Sequence, residues 1–220
     1  MPINPSVRYS AFLFDMDGTI LSSAAAAERV WGAWAQRHGL VPAEFLPTMH
    51  GRRGVDTISQ LGLPGVNPIE EAASIERAEI EDVDGVVAIP GAQEFLAALP
   101  SDNWAIVTSS SKALALRRLE AAGLVVPRFM VTGEDVKIGK PNPQGYLLGA
   151  ERLGVASSGC LVFEDVEAGV NAGIAAGSAV VIIEHAGHKL ETAANYSIPD
   201  YTSITPVIRA DRSISIAEKS

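Results

Sequence analysis

The sequence predicts an α/β fold: a doubly wound parallel sheet, Rossmann-like, with a small α-helical domain inserted after the first strand. Three observations carry this. Short β-rich runs are apolar without alternation, which fits strands covered on both faces. Most are followed by a segment of helical periodicity that stops at a glycine. Between about residues 22 and 89 this rhythm breaks, and only helical patterns appear. The chain has 220 residues, 47% hydrophobic and 20% charged, enough for an ample globular core.

Ala11 to Phe14 (AFLF) is the first strand. Ala24 to His38 is helical, with Ala27, Val30, Trp31 and Trp34 on one face and Ser22 or Ser23 as N-cap. Prolines and glycines between Pro42 and Pro68 punctuate further helices near Val55 to Leu61 and Pro68 to Asp82, with no strand expected among them. Ile89-Pro-Gly91 marks the return to the core. Trp104 to Thr108 is the second strand, and the helix from Ser111 to Ala122 stops at Gly123. Phe129 to Val131 is a short strand. Pro143 to Leu153 is helical, with Tyr146, Leu147, Ala150 and Leu153 on one face, and stops at Gly154. Leu161 to Phe163, a helix from Glu167 to Ala176 and Ala179 to Ile183 complete the repetition. The tail after Tyr201 is expected to hold one edge strand and a frayed end. Residues 1–21 and 90–220 form the expected core, and 22–89 the helical insertion. In such sheets ligands bind beyond the carboxyl ends of the strands.

The net charge of -9, from 17 basic and 26 acidic residues, argues against a nucleic-acid partner. An anionic ligand would need a local cation. The single cysteine, Cys160, excludes an internal disulfide framework and suits a reducing compartment, so a cytoplasmic protein is expected. Met1 to Ser10 lacks the features of a signal peptide, and no apolar run is long enough to span a bilayer.

Phe12-Leu13-Phe14-Asp15-Met16-Asp17-Gly18-Thr19 is the strongest chemical signal. Two carboxylates two residues apart directly follow an apolar strand, where they can share a face and point into one site. A polar turn closing a strand would also use Asp and Gly. Three further segments follow in order. Thr108-Ser109 closes the second strand, Lys140-Pro-Asn-Pro143 opens a helix, and Phe163-Glu164-Asp165, continued by Glu167-Ala-Gly169, closes a later strand.

This ordered set resembles the four motifs of the haloacid dehalogenase-like hydrolase superfamily, over Phe12 to Gly177. The resemblance implies an aspartate-nucleophile phosphatase that uses Mg²⁺. Asp15 would attack phosphorus, and Asp17 would act as general acid and base. Asp15 and Asp165, with the backbone carbonyl of Asp17, would hold the metal, with Glu164 behind them. Lys140 would neutralise the phosphoryl oxygens and Asp15. Thr108 or Ser109 would bind a phosphoryl oxygen, with Ser109 favoured by the family pattern. The Asp17 and Asp165 arrangement speaks against dehalogenation.

The insertion resembles the family's small helical cap. His50-Gly51-Arg52-Arg53-Gly54-Val55-Asp56 is similar to a cap segment of glycerol-3-phosphate and 2-deoxyglucose-6-phosphate phosphatases, which implies a small sugar or polyol phosphate as substrate. Arg53, more than Arg52, would contact it; both arginines could instead be solvated or pair with carboxylates such as Asp56. His50 is open between structural and catalytic roles. Trp31 is expected to pack in the helical core, and it could also shape the pocket. β-Phosphoglucomutase shares core and cap, but it carries a cap histidine twelve residues after the nucleophile. Ala27 stands there in this chain. A non-catalytic phosphate-binding protein is a further alternative, although both aspartates are retained. Monomer and homodimer are both open.

Overall fold

The computed structural model describes residues 6–184 and 196–219. The first five residues therefore lie outside it, with the part of Met1 to Ser10 that they form. Six parallel strands make the main sheet: β1 (Ala11–Phe14), β4 (Trp104–Val107), β5 (Phe129–Val131), β6 (Cys160–Glu164), β7 (Ala179–Ile183) and β8 (Tyr196–Ile198). Their order is β5-β4-β1-β6-β7-β8. The chain first winds from β1 toward β5, then crosses to β6 on the other side of β1. The order therefore reverses between β1 and β6, and a crevice opens at their carboxyl ends. Register pairs Phe14 with Ile106 on one side and with Phe163 on the other, so residues 15 and 164 leave the sheet side by side.

Alternation along β1 sends neighbouring side chains to opposite layers. Phe12 and Phe14 join Phe95, Phe163 and Tyr201 in one apolar layer. The Phe14 and Phe163 rings stack at 4.5 Å between centroids. Leu13 faces the other layer with Val107, Tyr146, Val162 and Val170. The first layer includes α5 (Ala92–Ala97) and α6 (Lys112–Ala121); the second includes α7 (Gln144–Arg152) and α8 (Glu167–Ala175). The Ser111 hydroxyl caps α6 by accepting the Leu114 N–H at 3.3 Å.

Between β1 and α5 lie α1 (Ala24–Arg37), α2 (Pro42–Phe45) with a following 3₁₀ turn at Leu46–Thr48, α3 (Gly54–Leu61) and α4 (Pro68–Glu81). They bury an apolar cluster of their own around Trp31, Trp34, Phe45, Ile58 and Ile75. Asn67 caps α4 by accepting the Ile69 N–H. Ser23 occupies the N-cap position of α1 but does not cap it; its hydroxyl donates instead to Asp17 Oδ1 at 2.6 Å.

Several features differ from the sequence expectation, among them α5 and the edge strand β8, which the sequence reading did not anticipate. The helical segment is entered and left through a two-stranded antiparallel ribbon, β2 (Leu21–Ser22) and β3 (Val87–Ala88). Each strand is two residues long, too short to show periodicity. The tail is not frayed after one strand: β9 (Ile204–Ile208) and β10 (Ile214–Glu218) form an antiparallel hairpin. Ile214 and Ile216 of β10 are buried in the aromatic layer, and Tyr9 pairs with Ile214 through two backbone hydrogen bonds of 2.8 Å.

Candidate active site

The turn after β1 places the two aspartates. Asp15 continues the ladder, its N–H donating to the Phe163 carbonyl at 3.0 Å. Gly18 then turns the chain at φ 86°. A Cβ built there would stand 1.9 Å from Asp165 Oδ2, so the β1 turn and the end of β6 meet only because residue 18 has no side chain. Thr19, one residue on, donates its hydroxyl to Asp165 Oδ1 at 3.1 Å.

Lys140 enters from the loop before α7, its side chain nearly fully buried. Its ammonium binds Asp15 Oδ1 and, at 2.6 Å, Glu164 Oε1. Glu164 is saturated: Tyr146 donates to Oε1 at 2.8 Å, and the Asp165 and Val166 N–H groups donate to Oε2 at 3.0 and 3.3 Å. It acts as a buried bracket that aims Lys140 and the start of α8. Gly169 permits this, since a Cβ there would lie 1.7 Å from Glu164 Oε1.

Carboxylate oxygens of Asp15, Glu164 and Asp165 lie within 4.8 Å of one another. Three acids against the single ammonium of Lys140 leave a deficit of positive charge. Burial, and after it the neighbouring carboxylates, push Asp15 up to about 8 and Asp165 well above the usual range; Lys140 opposes the rise at both. Burial alone would lower Lys140, but Asp15 and Glu164 outweigh it and hold the lysine above its ordinary value. Hard oxygen donors crowded in this way fit a divalent cation. Glu164 has both oxygens occupied, which leaves Asp15 and Asp165 as the side chains facing such an ion.

Asp17 points elsewhere. Its Oδ1 accepts from Ser23 and, at 2.9 Å, from Arg118; its Oδ2 accepts from Ser110 at 3.2 Å. Arg118 of α6 also donates to Glu79 of α4 at 2.8 Å. Burial disfavours the guanidinium charge, and Asp17 and Glu79 more than offset this. Burial raises Glu79, while Arg118 holds it down.

The carboxyl ends of β1 and β4 and the facing sides of the helical layer enclose a cavity of about 470 Å³. Asp15, Asp17, Thr108, Ser109, Arg52, Arg53, His50, Trp31 and Ala27 all line it. Thr108 accepts the Ser110 N–H at 3.1 Å, whereas Ser109 donates its hydroxyl to the Gly51 carbonyl at 2.9 Å. Arg53 grips Asp56 with two nitrogens, at 2.7 and 2.8 Å, and donates to the carbonyls of Val136 and Lys137. It thus ties the helical layer to the loop that carries Lys140. Arg52 reaches Gln60. Trp31 packs on Trp34 and Phe45, each 5.8 Å away between ring centroids, while lining the cavity.

The structure therefore gathers Asp15, Lys140, Glu164 and Asp165 in one cluster, with Asp17, Thr108 and Ser109 at its cavity side. Sequence reasoning missed Arg118, Glu79 and Ser110. The signal existed for two of them: Arg118 shares the buried stripe of α6 with Leu114 and Ala115, and Glu79 shares that of α4 with Ile75. A charge on an apolar stripe is the informative exception to burial rules.

A parallel sheet with carboxylates, a buried lysine and a hydroxyl pair at its switch point, roofed by an inserted helical layer, defines a hydrolase-type α/β enzyme scaffold. The chain belongs to the haloacid dehalogenase-like hydrolases, whose family model matches residues 9–177. It is 42% identical to hexitol phosphatase A of Escherichia coli over 80% of this chain and 84% of that protein. It is 31% identical to 2-deoxyglucose-6-phosphate phosphatase 2 of Saccharomyces cerevisiae over 96% of both chains. The fold matches a β-phosphoglucomutase from Clostridium difficile with a TM-score of 0.75 at 22% identity, covering 86% of this chain and 90% of that one.

Proposed function

We propose that this protein is a Mg²⁺-dependent phosphatase that hydrolyses small sugar or polyol phosphate monoesters. The observation that carries the reading is the Asp15–Lys140–Glu164 bridge beside Asp165, opening into a cavity that Asp17 also lines. The named activities of the hexitol and deoxyhexose phosphate relatives support the substrate class.

Asp15 and Asp165 would hold the cation, with the backbone carbonyl of Asp17. When bound, it supplies the positive charge that keeps both carboxylates ionised and lets a phosphate dianion approach. Asp15 attacks phosphorus, forming an Oδ–P bond as the ester P–O bond breaks. Asp17 passes a proton to the departing alkoxide, then takes one from the water that attacks the aspartyl-phosphate and releases Asp15. Lys140 offsets charge on Asp15 and the phosphoryl oxygens. Thr108 and Ser109 bind those oxygens at the start of α6, where backbone N–H groups favour anions. Residues 22–89 serve as the cap that excludes bulk water. Arg53 holds the cap's rim against the Lys140 loop and meets the substrate there. At Ala27 the cavity wall offers no titratable group, which favours hydrolysis over mutase-type transfer.

The test is phosphate release with Mg²⁺ or with EDTA, from a hexitol phosphate, glycerol 3-phosphate, 2-deoxyglucose 6-phosphate and p-nitrophenyl phosphate. Turnover should require the metal and fall by about 10³-fold or more in Asp15→Asn, with the circular dichroism spectrum unchanged. A folded wild type that releases no phosphate from any of these overturns the reading.

A further inference from the structure

The reaction geometry assigns positions beyond the reacting atoms. If phosphorus sits at Asp15 and the leaving oxygen at Asp17, the rest of the leaving group extends along the cavity from Asp17. The next groups there are Ser110 and Arg118, followed by Glu79 and Glu76 of α4, with Ser111 donating to Glu76. Arg118 and Glu79 are both buried, their side chains 6% and 9% exposed, yet both line the cavity instead of closing it off. A buried ion pair is an indifferent way to stabilise a fold, because an apolar pair of similar size does as well or better. Here an apolar alternative lies at hand: Glu79 is one turn from Ile75, which belongs to the Trp31–Trp34 cluster.

Resting on the phosphatase reading, we propose that Glu79 and Arg118 form the hydroxyl-reading end of the site. Glu79 accepts from, and Arg118 donates to, the hydroxyl groups of a polyhydroxy leaving group, and Trp31, whose side chain also hydrogen-bonds Glu79, lines the same stretch of the cavity. Substrates are then sorted by the hydroxyls they carry next to the ester, since a site with buried polar groups penalises a ligand that leaves them unpaired.

The experiment compares wild type, Glu79→Leu and Glu79→Gln on sorbitol 6-phosphate and p-nitrophenyl phosphate, which has no hydroxyl to read. Wild type should prefer the hexitol ester in kcat/KM. Glu79→Leu should lower kcat/KM for sorbitol 6-phosphate about thirtyfold, mostly through KM, and at least tenfold more than for the aryl ester. Glu79→Gln keeps an acceptor oxygen and should recover most of that loss, which also controls for misfolding of the leucine variant. Equal losses on both esters in both variants would mean that Glu79 only props Arg118 against Asp17, and would overturn the subsite alone. Absence of phosphate release by the wild type from either ester would overturn the phosphatase reading together with it.

Discussion

Asp15 is buried beside Glu164 and Asp165, with the Lys140 ammonium against it. Burial pushes its carboxyl up to about 8, despite Lys140. Below about pH 4 the native and unfolded chains both hold this proton. From there to about pH 8 the unfolded chain loses it while the native protein keeps it, so native stability declines as pH rises, by at most about 1.4 kcal/mol per pH unit for one such group. Asp165, raised in the same direction, adds to the slope. A bound cation removes it by favouring both ionised carboxylates. Mg²⁺ should therefore raise the melting temperature more at pH 8 than at pH 5, with proton release on titration near neutrality. Calorimetry with Mg²⁺ or EDTA at the two pH values checks this, and an equal rise at both would contradict it. These residues were legible because each closes an apolar strand or opens a helix, where exposed chemistry is expected. Ser110 shares the strand-to-helix turn of Thr108 and Ser109, while Arg118 and Glu79 sit inside helices; the contacts that join the three to their partners span 93, 101 and 39 residues, so no local pattern reveals them.

At the scale of elements, the carboxyl end of β6 and the first turn of α8 work as one unit. Glu164 is fully buried and held by Lys140, Tyr146 and two backbone N–H groups, and it fits only because residue 169 lacks a Cβ. Gly169→Ala should displace Glu164 and break the bracket. We expect a loss of about 2 kcal/mol or more in urea unfolding, and a larger proportional loss of turnover than of fold. An alanine variant with parental midpoint and rate would show that the carboxylate can move aside freely. The strands β1, β4, β6 and β7 were legible from unbroken apolar runs, and α6, α7 and α8 from periodic segments that stop at a glycine; α5 and β8 carry neither signal and were not anticipated. β2 and β3 were not legible either: two residues contain no period. Ser23 shows a different limit, since its local context specifies a helix cap while a carboxylate six residues earlier takes the hydroxyl.

Across the whole molecule, the C-terminal hairpin does more than its composition suggests. Ile214 is fully buried in the aromatic layer beneath β1 and pairs with Tyr9, so the β9–β10 hairpin fastens the segment that leads into β1. Ile214→Ala should cost about 2–4 kcal/mol in chemical denaturation. A midpoint within error of the parent would show the hairpin to be dispensable. This role was hidden in the sequence because the segment after Tyr201 is weakly patterned, and only the distant partner Tyr9 makes Ile214 interior. The β2–β3 ribbon has a consequence of another kind. Leu21 lies opposite Ala88, and the Ile89 N–H donates to the Ile20 carbonyl at 3.0 Å, so both crossings of the chain share one doorway. Any segment inserted between those residues must therefore bring its two ends to neighbouring strand positions, one strand-width apart, for β1 to keep its place in the sheet.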